Sequence, residues 1–377
     1  MMEQKSIQIV KISGTPYERG FQYGQAVKKM IHKAIKEWKL ALHRNHLRDP
    51  EDYLKSFLEY ENFKPAIEKH APGMLDEVRG IADGAQIDFD TLYAFQLMDE
   101  EWTYGVKELL WKKKNGNQFE NIGQNCSTLG IYGQKDSPSY LAQNMDLPGW
   151  TRSYPILLKI NYGDFQVICL TFPGLIATVG LNTSGTGICC NTLFNLNHCQ
   201  DGLPISFAVR RALEMQNFTK AVDFIKSVRY ASGQNFTVGC ETKISAFECS
   251  ANKVVQYIPD REMSRVFHTN HAFVNDDNSC FKKYKSQKSA DFQASGPDNS
   301  QCRYSSLDKR LGKHIDKVSI DDIKAALRSH DDPHNTVCVD TPTVLTFASI
   351  IYEFGKNPRL QITQGPPCRS KYETILF

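Results

Sequence analysis

Helix-start signals and charged residues dominate the chain up to about Gly116. The segment 15–18 (TPYE) reads as a capping box with proline at the first helical position. Asp49 and Pro50 repeat the combination of cap and proline, and acidic residues follow them. Gly20 and Gly24, four residues apart in the first predicted helix, predict close packing against a neighbouring helix. The first third of the chain is therefore predicted to be helical.

From Cys126 onward, short apolar and β-branched runs alternate with turn residues, which predicts antiparallel hairpins. Helices are predicted over 204–215 and 219–228, from a cap at Ser300 to Leu311, and from a cap at Ser319 to Leu327. Strands followed by helix pairs and further strands indicate an α+β layered domain. The predicted strands are 126–132, 140–145, 155–162, 165–172, 175–181, 186–193, 235–238, 244–249, 254–258, 266–269, 345–352 and 360–363.

Composition and charge narrow the class of protein. The 377 residues are 41% hydrophobic and 23% charged, so the chain can bury a large core and is not disordered. A net charge of +3 is too close to neutral to indicate a surface that binds nucleic acid. We find no apolar run of the roughly 18–20 residues that a membrane span needs, and no signal-peptide core at the start. These features predict a cytoplasmic protein with neither nucleic-acid nor membrane partners.

The distribution of cysteines singles out Cys126, because it is the first of eleven in the chain. It lies where a predicted turn becomes a strand. Two interpretations stay open: a buried structural cysteine, or a nucleophile that needs a base. If the bond between Asn125 and Cys126 were cut, the new α-amino group, with an ordinary pKa of about 7.7–8.0, could be that base.

Three further segments carry candidate chemistry. Asn144 and Asp146 are two residues apart on a predicted strand and share one face, which a hairpin could bring beside Cys126. Asn235 begins a strand and could donate an amide N–H to an oxyanion. Arg303 could stabilise a thiolate or bind a carboxylate. Taken singly, each residue also has an ordinary structural explanation in a turn, a strand end or a solvated surface.

The histidines do not predict a metal site. His268 and His271 would face opposite sides of a strand, and HDDPH (330–334) does not match the HExxH motif. There is no CxxC pair to complete a zinc site. We therefore expect structural roles for these residues.

Taken in order, seven segments resemble the acyl-coenzyme A:6-aminopenicillanic acid acyltransferase family of N-terminal-nucleophile hydrolases. Each motif is weak alone, but the ordered set is specific and extends from about Gly14 to Tyr372. The segments are GTPYERGFQYG (14–24), NCSTLGIYG (125–133), AQNMD (142–146), GLNTSGTGICCN (180–191), HTNH (268–271), RSHDDPHNTVC (328–338) and GPPC (365–368).

The resemblance implies an αββα four-layer sandwich with antiparallel sheets, made as a precursor that cuts itself before a nucleophilic cysteine. It implies a helical segment 1–125 and a catalytic segment 126–377, which stay associated as one domain. It assigns Cys126 as the nucleophile and new N-terminus. Asp146 matches the aspartate that holds the amine and the thiol, and Asn144 is a supporting residue. Asn235 matches the oxyanion asparagine and Arg303 the active-site arginine. No resident cofactor or metal is implied, and acyl-coenzyme A is a candidate co-substrate.

The implied activity is cleavage or transfer of an acyl group at a linear amide or thioester of a small molecule, through an acyl-enzyme on Cys126. Two alternatives stay open. One is an amidohydrolase of N-acyl amino acids or amines without transferase activity. The other is a non-processing relative that only binds acylated metabolites, because the family commonly has glycine where this chain has Asn125. Related bile-salt and penicillin V acylases have an arginine where this chain has Gln143 or Asn144, which favours the acyltransferase-like branch.

Overall fold

A computed structural model describes residues 6–112, 126–133, 137–152, 154–259, 265–280, 282, 297–312 and 317–377. The predicted cleavage residue Asn125 lies outside these ranges, whereas Cys126 lies within them. Both sheets and the helices that cover them fall in the described part of the chain.

One strand and seven helices lie within residues 6–112, the described part of the first third of the chain. The strand is β1 (Gln8–Ser13). The helices are α1 (Pro16–Ala26), α2 (Lys28–His46), α3 (Pro50–Tyr60), α4 (Lys64–His70), α5 (Met74–Ala85), α6 (Phe89–Gln96) and α7 (Met98–Lys112). The capping box at Thr15 and Glu18 and the Asp49 cap are both present, which confirms the two predicted helix starts.

Close contact between α1 and α5 follows from four glycines. A Cβ at Gly20 would lie 1.9 Å from the Glu77 carbonyl oxygen, and a Cβ at Gly80 would lie 2.1 Å from that of Tyr17. Gly24 and Gly84 face backbone at similarly short range. The predicted close packing of the first helix is confirmed, and only residues without side chains allow it.

Strand β1 and the strands of the rest of the described chain form two sheets. The first has the order β1-β4-β5-β6-β7-β8-β9-β10 and is antiparallel except for the parallel pair β1-β4; the second is antiparallel, in the order β11-β2-β3-β12-β13-β14. The strand bounds are β2 (Ser127–Ile131), β3 (Tyr140–Pro148), β4 (Ile156–Asn161), β5 (Gln166–Thr171), β6 (Val179–Asn182), β7 (Gly187–Thr192), β8 (Gln234–Gly239), β9 (Ile244–Cys249), β10 (Val254–Tyr257), β11 (Arg265–His268), β12 (Val344–Glu353), β13 (Arg359–Ile362) and β14 (Glu373–Ile375).

The two sheets pack face to face, because β2 and β3 of the second contact β7 and β8 of the first. Helices α8 (Ile205–Leu213) and α9 (Phe218–Ser227) cover the outer face of the first sheet. Helices α10 (Pro297–Leu311) and α11 (Ile320–Leu327) cover the second. The molecule is an αββα four-layer sandwich with predominantly antiparallel sheets, as the sequence predicted.

Most helices and strands lie where the sequence predicts them, and a few predicted starts are wrong. Strand β1 was not predicted, because it lies in the part of the chain that is otherwise helical. The strand predicted over 175–181 begins only at Val179, since the preceding residues turn after Gly174, whose φ is +94°. Ser300 does not cap α10: the helix begins at Pro297, and the Ser300 hydroxyl instead accepts from the Asn270 backbone N–H.

Hydropathy gives no helix that could cross a bilayer within the ranges the structure describes.

Candidate active site

Cys126 lies immediately before β2, at the interface of the two sheets. It is 4% exposed and belongs to the same apolar cluster as Leu141 and Met145 of β3. Its Sγ lies 3.9 Å from the backbone oxygen of Asp146, to which the thiol donates. The hairpin of β2 and β3 thus brings the cysteine and the aspartate together, as expected from the sequence.

Arg303 of α10 reaches the backbone of Cys126. Its Nη1 donates to the Cys126 carbonyl oxygen at 2.7 Å and to Ser127 Oγ at 3.0 Å. Nη2 donates to Asn270 Oδ1 at 2.9 Å, and Nε donates to Asn299 Oδ1 at 2.8 Å. This fully buried guanidinium therefore joins the outer helix, the loop after β11 and the start of β2.

An asparagine pair approaches the same carbonyl from the other sheet. Asn191 of β7 donates from Nδ2 to the Cys126 oxygen at 3.1 Å. Asn235 is its cross-strand partner on β8, and donates to Asn191 Oδ1 at 3.0 Å and to Thr237 Oγ1 at 3.1 Å. Of the two amides, Asn191 is therefore the one that bonds to Cys126, while Asn235 holds Asn191 in place.

Asp146 is buried, and within the described part of the chain only one of its carboxylate oxygens is hydrogen-bonded. Oδ1 accepts from Thr346 Oγ1 at 2.6 Å, and Oδ2 has no hydrogen-bond partner among the described residues. Thr346 pairs with Asp146 at the point where the register of β12 shifts before Ala348. Such an irregularity re-aims side chains, and here it directs a hydroxyl at the carboxylate. A buried acceptor without a donor is costly, and a catalytic role is one of the reasons for which such a group is kept.

Burial dominates the electrostatics of these groups. It raises the pKa of the Cys126 thiol to about 12, with a further increase from the Asp146 carboxylate. Burial also raises the pKa of Asp146 to about 7, although the hydrogen bond from Thr346 and the charge of Arg303 both lower it. The same desolvation lowers the pKa of Arg303 to about 10. In the uncut chain, the thiol is neutral at pH 7 and needs a base before it can attack.

Asn144 lies on the outer side of β3. Its Nδ2 donates to the backbone oxygens of Leu327 and Val337, at 2.7 and 2.9 Å. The neighbouring Gln143 points the other way, towards Cys190 of the first sheet. Asn144 thus joins β3 to the helical layer. The hydrogen bonds of its side-chain amide are with that layer and not with the thiol.

Several residues at the site were not singled out from the sequence. Asn191 and Asn270 each occupy one position of a motif, GLNTSGTGICCN and HTNH, and nothing in the spacing separates them from their neighbours. Asp99, in the first turn of α7, accepts from Thr192 Oγ1 and Gln234 Nε2, and its charge also acts on the thiol. An acidic residue in a first helical turn is ordinary, so only the fold could reveal its position.

His268 and His271 belong to the support of the site. His268 Nε2 lies 3.0 Å from Glu248 Oε1 in a fully buried pair. The Glu248 carboxylate also accepts from the backbone N–H groups of Phe273, Val274 and Asn275, which fixes the loop that carries Asn270. Bonding to His268 helps to lower the Glu248 pKa, although its burial opposes this. This arrangement supports the structural role predicted for these histidines.

The αββα sandwich is the fold that the resemblance to N-terminal-nucleophile hydrolases implies. A sequence model of the family described as "Acyl-coenzyme A:6-aminopenicillanic acid acyl-transferase" matches residues 133–367. This match covers more than half of the chain, and the chain belongs to that family. The matched stretch contains Asp146, Asn235 and Arg303 and begins after Cys126.

Two curated relatives are similar over most of the chain. The 40 kDa form of acyl-coenzyme A:6-aminopenicillanic-acid-acyltransferase from Emericella nidulans is 26% identical over 268 residues, which are 71% of this chain and 70% of that protein. Protein dcd1A from Dictyostelium discoideum is 24% identical over 365 residues, which cover 86% of this chain and 75% of that protein.

Solved structures give a more distant likeness. A variant of conjugated bile acid hydrolase from Clostridium perfringens has a TM-score of 0.39 at 11% identity, covering 67% of this chain and 97% of its own. Penicillin V acylase from Agrobacterium tumefaciens has a TM-score of 0.41 at 11% identity, covering 67% of this chain and 86% of its own.

Proposed function

We propose that this protein is a self-processing cysteine enzyme that cleaves or transfers acyl groups at linear amide or thioester bonds of small molecules. The observation that carries the proposal is the convergence of three groups on Cys126. Arg303 and Asn191 both donate to its carbonyl oxygen, and Asp146 lies beside its thiol with one buried oxygen unpaired. The bonds to the carbonyl fix the backbone of Cys126, and the buried carboxylate beside the thiol is a partner that a purely structural cysteine would not need.

Processing starts with attack of the Cys126 sulfur on the Asn125 carbonyl carbon. A C–S bond forms, the C–N bond to Cys126 breaks, and the nitrogen gains the proton lost by the thiol. Water then hydrolyses the thioester, leaving a carboxylate on Asn125 and a free α-amino group on Cys126. The products are segments of 125 and 252 residues, which stay associated as one domain.

Release of the α-amino group supplies the missing base. Its ordinary pKa of about 7.7–8.0 lies close to neutral pH, whereas burial holds the thiol far from ionisation. The unpaired Oδ2 of Asp146 is an acceptor for the resulting ammonium. Cleavage therefore converts a costly buried carboxylate into one side of an ion pair.

Turnover follows from the same groups. The α-amine takes the thiol proton while sulfur attacks the substrate carbonyl. An amide N–H of Asn191, which Asn235 holds in place, stabilises the oxyanion. The α-ammonium returns the proton to the leaving amine or thiol. Water or an amine acceptor then releases the acyl group from sulfur. No resident cofactor is required, and acyl-coenzyme A would serve as an acyl donor.

The experiment supplies an acyl-coenzyme A and a primary amine to the purified protein and follows both products. An acyl mass on the peptide that begins with Cys126, together with amide formation, would support acyl transfer. Formation of the free acid without any amide would mean that the protein is a hydrolase and not a transferase. Cys189→Ala is the matched control, because this buried cysteine of β7 lies near enough to interact with the Cys126 thiol. Turnover that survives in Cys126→Ala would overturn the proposal.

A further inference from the structure

A second group of reactive side chains lies in the outer layer. The ligand atoms of His330, Cys338 and Cys368 all lie within 4.8 Å of one another. His330 follows α11, Cys338 precedes β12, and Cys368 lies in the turn after β13. Cys338 is buried, whereas His330 and Cys368 are exposed, so a small ion can reach the group from solvent.

The backbone that carries these ligands is already fixed. The Cys338 N–H donates to the Ser329 oxygen, and Asn144 holds the oxygens of Leu327 and Val337 on either side of the loop. The turn that carries Cys368 closes through bonds from the backbone of residues 369 and 370 to the Pro366 oxygen. Three segments distant in sequence therefore present one imidazole and two thiols.

One imidazole and two thiols are a set of ligands that favours zinc. Thiolate and imidazole are the ligands of tetrahedral zinc sites, with Zn–S distances of about 2.3 Å and so about 3.8 Å between ligand atoms. Side-chain adjustment of about 1 Å brings the three atoms to that spacing. Loss of two thiol protons gives two thiolates, which neutralise the charge of Zn²⁺.

We propose that His330, Cys338 and Cys368 bind a zinc ion, with the fourth position left for water or an added ligand. The histidine adds a third donor atom beside the two sulfurs, which a metal ion would use and a Cys338–Cys368 disulfide would not. The site escapes sequence analysis, since Cys368 lies thirty residues beyond Cys338 and neither belongs to a CxxC pair.

Backbone contacts connect this site with the candidate active site. Val339, next to Cys338, donates to Thr346 Oγ1 at 2.9 Å and accepts from the Thr346 N–H at 2.8 Å. Thr346 Oγ1 in turn donates to Asp146 Oδ1. Zinc would thus stabilise the loop that orients Thr346 against the carboxylate. The metal site itself does not depend on the proposed acyl chemistry.

The test uses the full-length protein, purified with a phosphine reductant. Bound zinc is measured by mass spectrometry of the elements, and affinity by competition with a chromogenic chelator. Co²⁺ replaces zinc as a spectroscopic probe, since thiolate ligands give near-ultraviolet charge-transfer bands. His330→Ala and Cys368→Ser alter exposed residues and should leave the fold intact. His334→Ala, an exposed histidine on the same loop, and Cys240→Ser are the matched controls.

We expect one zinc per chain in the wild type and both controls. Replacing a residue that hydrogen-bonds to a metal ligand typically weakens metal binding roughly 10–100-fold. Each variant of a proposed ligand should lower the zinc affinity by more than that. The Co²⁺ bands should weaken in Cys368→Ser and persist in Cys240→Ser. Zinc content unchanged by the ligand variants would overturn the proposal. So would a Cys338–Cys368 disulfide that persists in reductant, or no zinc binding by the reduced protein. All these readouts are independent of acyl transfer.

Discussion

The Arg303 guanidinium donates to the carbonyl oxygen of Cys126 at 2.7 Å, although 177 residues separate the two in sequence. This bond joins the outer helix α10 to the residue at which the second segment of the chain would begin. The carbonyl belongs to the peptide that follows Cys126, so cutting the preceding peptide would leave the bond intact. Arg303 therefore fixes the backbone on which both the thiol and a new α-amino group would be carried.

Replacing Arg303 by Ala should destabilise the protein strongly. Four buried or half-buried oxygens lose a donor, and each unsatisfied buried group costs about 1–3 kcal/mol, so we expect a loss of about 3 kcal/mol or more. Arg310→Ala on the same helix breaks a partly exposed pair with Asp331 and should cost no more than about 1 kcal/mol. Urea unfolding of both variants measures the difference. Equal losses would contradict the expected cost of leaving these four oxygens without their donor.

The asparagine pair should act as a unit. Asn235→Ala and Asn191→Ala should each lower kcat by about 10²–10³-fold, as for loss of one oxyanion donor. Because Asn235 holds the Asn191 oxygen, the double variant should fall well short of the product of the two losses. The measurement is a double-mutant cycle on kcat with an acyl-thioester substrate. Thr237→Val is the control, since it removes only the second acceptor of Asn235. Fully multiplicative losses would contradict the arrangement.

Asp146 should make the uncut protein less stable as pH rises. Its folded pKa of about 7 lies above the ordinary value of 3.8, so its protonated form is favoured by folding. The stability it contributes is fully present below pH 3.8 and is lost as pH rises to about 7, with a total on the order of 4 kcal/mol. The Cys126→Ala background keeps the chain uncut. Adding Asp146→Asn should remove this slope from the unfolding free energy.

Glu248 provides a control of opposite sign for that experiment. Its folded pKa is lowered, so its contribution is present above the ordinary value of 4.5 and is lost as pH falls through the folded pKa. Glu248→Gln in the same background should therefore lose stability at neutral pH and much less in acid. A slope that Asp146→Asn leaves unchanged would show that this carboxylate ionises as freely in the folded chain as in the unfolded one.

The sequence predicted the layers better than it predicted the contacts within them. Caps at Thr15 and Asp49 and the alternating runs after Cys126 are local signals, and they predict the order of helices and strands in an α+β layered domain. The αββα sandwich is what the family resemblance implies, and the two packed sheets confirm it. The hairpin that pairs Ser127 with Asn144 explains why Asp146 lies near Cys126. Local patterns miss β1, because one short strand in a helical region pairs with a partner far along the chain.

Long-range contacts account for what the sequence could not predict at the site. Asn191 reaches Cys126 only through the packing of one sheet on the other, and Thr346 reaches Asp146 through an irregularity in β12. Ser300 reads as a helix cap, yet the helix starts three residues earlier, which frees its hydroxyl to fix the loop of Asn270. Roles for Cys126, Asp146, Asn235 and Arg303 in catalysis stay predictions, to be decided by the variants above.

An intact denaturing mass spectrum of the purified, untagged protein tests self-processing most directly. We predict two masses, of segments with 125 and 252 residues, that break between Asn125 and Cys126. Cys126→Ala should give one full-length mass, and Asn125→Gly should be cut at least as fast, because it removes the side chain beside the scissile carbonyl. A single full-length mass for the wild-type protein, or a break at any other bond, would contradict the account.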